Sequence, residues 1–194
     1  MDIDWGPYLS STTSLPHRPE TELAVKANQS PTRTAIDCGC GAGRDIAYLR
    51  EQGYQTFGFD SDVATVDVCK HRFADDNSVT ISHASFETYE PPQASLILAH
   101  SSLFFCPRYT FEIFWDKILK SLEPKGVISC NFLGQKDSWL GKQFHRGFAV
   151  NLQEINKLFS QFDIVKLSER NEDGATITGD RKHWHTYTVI ARRK

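Results

Sequence analysis

Beyond Pro31 the apolar positions fall into short runs that alternate with stretches of helical spacing. Thr34–Cys38, Gln55–Phe59, Val79–His83 and Ser95–Ala99 read as strands, and Arg44–Glu51, Asp62–Arg72 and Thr110–Leu122 as helices. Phe111, Phe114, Trp115, Ile118, Leu119 and Leu122 recur at three- and four-residue steps and make one apolar stripe. Glu123-Pro124-Lys125-Gly126 stops that helix and Val127–Leu133 reads as the next strand. Asn151, with Glu154 three residues on, marks the start of another helix, which buries Leu152, Ile155, Leu158 and Phe159. Two last strands, Asp163–Leu167 and Thr186–Arg192, are separated by a polar segment, Asn171–His183, read as a long loop. Strands alternating with helices predict a parallel sheet covered on both faces. Ser95-Leu96-Ile97-Leu98-Ala99 is apolar without interruption, as a strand buried on both sides requires.

Residues 1–30 are rich in Ser, Thr and Pro and are expected to form an irregular lead-in with one short helix near Glu20–Ala27. No repeat or domain boundary is visible, so residues 1–194 are read as a single domain. The chain is 40% hydrophobic and 24% charged, a globular composition, with a net charge of −2. That balance disfavours general binding to nucleic acid, which calls for a basic excess. No apolar run is long enough to span a bilayer, and the N-terminus lacks a secretion signal, so a cytoplasmic protein without membrane association is expected. The five cysteines form no disulfide framework. Cys38 and Cys40 make a CxC pair without a second pair nearby, so no metal is expected and the thiols are read as ordinary reduced ones.

The chemistry is concentrated in Asp37-Cys38-Gly39-Cys40-Gly41-Ala42-Gly43-Arg44, where a buried strand ends in alternate glycines and a helix follows. Glycine there permits positive φ and close approach of a ligand. A dinucleotide fingerprint would put its third glycine where Arg44 stands, which disfavours a nicotinamide-dependent oxidoreductase, and no P-loop Lys-Ser/Thr follows. Asp37, two residues before the first glycine, suits a cationic ligand better than a phosphate. Asp60 ends the second strand, where a carboxylate can accept from both hydroxyls of a ribose. Each feature also has a plain structural reading: the glycines as a tight turn, Asp60 as a helix N-cap. Their combination with the alternating pattern favours a cofactor site.

The glycine loop with its spaced Asp60 resembles that of the class I S-adenosylmethionine (SAM)-dependent methyltransferases. Ser82–Glu87, Ser95–His100 and Leu122–Val127 stand where that family places its adenine loop, fourth strand and the turn before the fifth, with Lys125 replacing a glycine of that turn. Gly43-Arg44-Asp45, Phe132–Trp139 and Lys182–His185 are similar to the small bacterial tellurite-resistance and thiopurine-methyltransferase-like branch. The resemblance implies a Rossmann-like α/β sandwich with a seven-stranded, mostly parallel sheet whose last strand is antiparallel. It implies SAM as cofactor and S-adenosylhomocysteine as its product. Gly39, Cys40, Gly41 and Gly43 would face the methionyl half, with Asp37 serving the loop. Asp60 and Ser61 would hold the ribose, and Ser85 and Phe86 the adenine. Arg44 is either an exposed surface residue or a carboxylate contact.

Methyl transfer from a sulfonium relies mainly on alignment and needs a base only for a protonated nucleophile, so the lack of a triad is no obstacle. His100 follows the fourth strand and is read as a hydrogen-bonding group at the cofactor more readily than as a base. Phe104 and Phe105 pack either cofactor or core. Trp5 and Tyr8 lie in the lead-in, which in the resembled family folds over the site as a lid. Trp139, Phe144, His145 and Arg146 follow the fifth strand, a usual place for acceptor specificity. His183-Trp184-His185 is read as packing rather than a ligand cluster. The partner expected is a small-molecule acceptor. A non-catalytic SAM-binding regulatory module is the alternative.

Overall fold

The computed structural model describes residues 4–142 and 147–194. Eight strands among these form one sheet: β1 (Thr34–Cys38), β2 (Gln55–Asp60), β3 (Val79–His83), β4 (Ala94–Ala99), β5 (Leu122–Gly134), β6 (Ala149–Val150), β7 (Phe162–Ala175) and β8 (Arg181–Arg193). The order is β3-β2-β1-β4-β5-β8-β7, with the two-residue β6 paired to the tip of β5. β8 is antiparallel to both neighbours, and the other neighbouring strands pair in parallel. This is the expected Rossmann-like sheet with its last strand reversed; the eighth strand is the short β6.

All six residues of β4 are buried, and its side chains alternate between two cores. Leu96 and Leu98 pack with Ala24 of α2 (Pro19–Ala27) and Leu49 of α3 (Arg44–Glu51). Ile97 and Ala99 face the side that holds α5 (Arg108–Ser121) and α6 (Leu152–Leu158). On α5, Phe111, Phe114, Trp115 and Ile118 of the stripe are buried, Leu119 only partly, and Leu122 already belongs to β5; Phe114 meets Phe59 and Phe86, and Phe111 meets Phe132. Asn151 accepts from the Glu154 N–H at 2.9 Å while Glu154 accepts from the Asn151 N–H at 3.0 Å, the reciprocal cap expected for α6.

Two expectations are corrected. The segment Asn171–His183 is not a loop: β7 and β8 stay paired out to Ala175 and Arg181, leaving only a short turn. The arm runs past the end of the sheet, so its side chains lack the apolar alternation that marks a core-facing strand. The lead-in holds a second helix, α1 (Gly6–Thr12), besides α2. Ser11 and Thr13 hydroxyls return to the carbonyls of Pro7 and Leu9 at 2.8 and 2.7 Å, so residues that usually favour turns here follow the helix.

The five cysteines are free and buried. Burial raises the thiols of Cys38 and Cys130, and burial carries Cys106 up to about 12. At Cys40 the hydrogen bond with Cys69 acts with burial in the same direction. Lys125, at the turn before the body of β5, has φ +64. A left-handed backbone at a residue bearing a Cβ is strained. Lys125→Gly is therefore expected to raise the free energy of urea unfolding by roughly 1 kcal/mol.

Candidate functional site

Where β1 and β2 end, hydrogen bonds fix the glycine loop. The N–H groups of Gly39 and Cys40 both donate to the Phe59 carbonyl, at 2.9 and 3.0 Å. Asp60 accepts the Gly41 N–H on one oxygen and the Asp62 N–H on the other, both at 3.1 Å. Asp60 is thus not the cap of α4 (Val63–Arg72); Asp62 fills that role by accepting from the Thr65 N–H at 2.8 Å. Each Asp60 oxygen keeps a lone pair for a ligand. Burial raises Asp60, and the N–H groups of Asp62 and Gly41 pull it back.

The loop forms one wall of a cavity of about 660 Å³ at the C-terminal ends of the parallel strands, where open α/β sheets bind ligands. Gly41 has φ +55 and no atom within 4 Å of where a Cβ would stand, so its bare backbone faces open space. Gly39, Arg44, Asp60 and Ser61 line the same space, as do Ser85, Phe86 and His100. Asp37, Cys40 and Gly43 do not line it. Cys40 packs in a small core with Ile46 and Cys69, and Gly43 lies against Phe73 and Cys69. Asp37 is buried, and burial with the nearby Asp45 carboxylate pushes it up to about 8 against the pull of Arg18.

Asp45, in the first turn of α3, gained no role from its place in the sequence. Its carboxylate accepts from the Arg18 N–H at 2.8 Å, from the Thr21 hydroxyl at 2.7 Å and from the Arg18 guanidinium. Arg18 also reaches the Tyr8 hydroxyl at 3.4 Å. The lead-in is therefore tied to the helix that follows the glycine loop. Burial would lower Arg18, but Asp45 and its neighbours carry it above its ordinary value. Arg44 stands 4.0 Å from Asp45, and burial and the Arg18 charge lower it. A guanidinium on the cavity wall with so distant a partner can receive a carboxylate.

The end of β4 bends sharply. Ser101 is left-handed at φ +57, with its N–H donating to the Asn131 side chain at 3.2 Å. Ser102 is pressed so close that a Cβ on Gly39 would lie 2.5 Å from its own. Strain of this kind is held in place where surrounding structure fixes it. Two buried polar atoms on the cavity wall lack a partner: Ser102 Oγ and His100 Nδ1. His100 Nε2 is 2.7 Å from Ser129 Oγ.

Trp5, Tyr8, Phe104 and Trp139 line the cavity. Arg146, Phe144 and His145 lie outside the described residues. Arg170 and the hairpin turn Ala175–Thr178 also line it, without a signal in the sequence, and so does Trp184, whose expected role was packing alone. No group of three or more metal-ligating side chains occurs among the described residues.

Residues 35–126 match the family described as "Methyltransferase domain". They are a methyltransferase domain. No curated protein sequence matches the chain. Solved structures similar to it include TehB from Haemophilus influenzae, with a TM-score of 0.74 at 14% identity over 89% of this chain and 62% of that one. The chain thus spans about three fifths of the length of TehB. The N-methyltransferase NodS from Bradyrhizobium japonicum WM9 has a TM-score of 0.68 at 13% identity over 98% and 99% of the two chains. The 1,6-didemethyltoxoflavin-N1-methyltransferase of Burkholderia thailandensis has a TM-score of 0.68 at 16% identity over 97% and 81%. The methyltransferase domain and its surroundings have the fold of the class I SAM-dependent methyltransferases, and SAM is the cofactor such a domain implies.

The residues present fit that cofactor. The loop offers bare backbone at Gly41, Asp60 keeps acceptor capacity, and two buried polar atoms await partners. The Asp60 carboxylate on the wall suits the positive charge of that cofactor, and Arg44, also on the wall, suits its carboxylate.

Burial, with a lesser push from Arg18, lowers His100 to about 4 from its ordinary 6.5. The unfolded chain therefore binds the extra proton more readily. Stability from this group is complete above pH 6.5 and is lost as the pH falls toward 4. The loss should be on the order of 3 kcal/mol. Urea unfolding of the wild type at pH 7 and pH 5 should show a drop that His100→Asn largely abolishes.

Proposed function

We propose that this chain transfers the methyl group of SAM to a small-molecule acceptor in the cytoplasm. Residues 1–194 act as a single domain and residues 1–30 as a lid. One observation carries the reading: a single cavity joins the glycine loop and Asp60 to a separate aromatic end formed by Trp5, Phe105 and Trp139. A non-catalytic SAM-binding module would need only the first of these, so the continuous space speaks for an acceptor site. The bound 1,6-didemethyltoxoflavin and S-adenosylhomocysteine of the Burkholderia protein support a small acceptor here. The likeness to TehB supports the tellurite-resistance-like branch. A net charge of −2 speaks against nucleic acid, and no helix among the described residues is long and apolar enough to cross a membrane. Five free, buried thiols suit a reducing compartment.

When bound, SAM would supply a sulfonium methyl: the acceptor's lone pair would form the new bond to the methyl carbon in line with the breaking C–S bond, and sulfur would leave with that bond's electrons as the thioether. The chain's residues divide the work of holding it. Asp60, beside Ser61, accepts from the ribose hydroxyls, and Ser85 and Phe86 border the adenine. Gly39 and Gly41 let the methionyl half lie against the backbone, while Cys40 and Gly43 hold the loop's shape from behind. Arg44 receives the carboxylate. His100 and Ser102 offer hydrogen bonds to the methionyl end. His100 is too weak a base to remove a proton at neutral pH, so it positions, and a proton released by the acceptor passes to water. Asp37, buried behind the loop and outside the cavity, serves the loop and does not touch the ligand.

Calorimetry with S-adenosylhomocysteine tests the reading. The wild type should bind, and Asp60→Ala should lose roughly 2–4 kcal/mol of affinity while remaining folded by circular dichroism. No binding to the wild type would remove the proposal; equal binding to the variant would remove Asp60 from the site.

A further inference from the structure

Resting on the methyltransferase reading, we infer that the acceptor is a flat, uncharged aromatic molecule that carries its nucleophilic atom on or beside the ring. The end of the cavity away from Asp60 is walled by rings in series. Trp5 meets Phe105 edge-on at 5.1 Å between centroids, Phe105 lies 5.8 Å from Trp139, and Trp139 lies 5.3 Å from Trp184. All four line the cavity. Aromatic walls bind planar ring systems through offset and edge contacts that an aliphatic guest cannot match. Ile177, at the hairpin turn, borders the same space and is 47% exposed, an apolar side chain that a bound ring would cover.

Aromatic walls also attract cations, and here that option is taken up by the protein. The Lys182 ammonium lies 3.9 Å from the centroid of Trp139 and 3.9 Å from that of Trp184. It is buried there against the Asp137 carboxylate, which also accepts the His185 N–H at 3.0 Å. Arg170 covers Trp184 at 5.1 Å as well. The paired indoles are therefore fixed in place and already serve resident cations, so a cationic amine would meet like charge. A small oxyanion is poorly served too. Lys182 is spent on Asp137, and Arg170 on Glu172 at 2.9 Å. The four rings remain as apolar lining, alongside the polar Asp4, Thr176 and Thr178 that line the same cavity.

The test is calorimetry on the full chain saturated with S-adenosylhomocysteine, using 2-naphthol, cyclohexanol, choline and tellurite as probes. The expected result is 2-naphthol bound at least tenfold more tightly than cyclohexanol, with choline and tellurite not bound. Trp139→Ala should weaken 2-naphthol about tenfold and Trp139→Phe should restore most of it. Because Trp139 also packs on Lys182, Trp5→Ala provides a second, independent loss of several-fold. Equal binding of cyclohexanol, a preference for choline or tellurite, or unchanged 2-naphthol affinity in both alanine variants would overturn the inference. The first titration separates this outcome from failure of the methyltransferase reading. If 2-naphthol binds but S-adenosylhomocysteine does not, the aromatic pocket stands and the cofactor assignment falls. If the reverse holds, only the aromatic acceptor falls.

Discussion

Two hydrogen bonds to one carboxylate hold the site together. Asp60 closes the tip of β2 onto the glycine loop by accepting from Gly41, and it turns its own strand toward α4 by accepting from Asp62. With the two N–H groups that Phe59 receives, the Gly41 bond makes three that fix the loop relative to the sheet. The loop needs such holding because its conformation is unfavourable for ordinary residues and has little side-chain packing of its own. Everything else on the polar side of the cavity takes its position from that join.

A second fastening brings the lead-in to the same place. Asp45 sits in the first helical turn after the loop and gathers a backbone N–H, a hydroxyl and a guanidinium from residues 18 to 21. A buried charge stays stable only when so fully paired. The result places Trp5 and Tyr8 over the cavity even though neither belongs to the sheet. On the opposite rim, the paired arm of β7 and β8 carries Trp184 and Ile177 to the cavity. Two segments distant in sequence thus enclose a space whose floor is made by the parallel strands.

The strands and helices of the sheet were legible because burial on two faces leaves an apolar signature, seen most plainly in Ser95–Ala99. Gly39, Gly41 and Asp60 were legible because the constraints on them are local. The rest depends on contacts across long sequence separations. Nothing near Asp45 announces that Arg18 will meet it, and Ser102 is unremarkable until Gly39 is placed against it. The hairpin arm lacked apolar alternation because it leaves the core; its pairing is sustained by its own hydrogen bonds, so Asn171–His183 looked like a loop. Helix α1 was hidden for a similar reason, since its hydroxyls bond back to the helix instead of capping a turn.

The cysteines behind the loop have a consequence for self-protection. A sulfonium methyl is reactive toward thiolates, and Cys38 and Cys40 belong to the strand and loop that border the cavity. Both are buried away from its surface and held firmly protonated. An enzyme that keeps an alkylating group near its own sulfur atoms avoids inactivating itself by denying those atoms both access to the cavity and the negative charge.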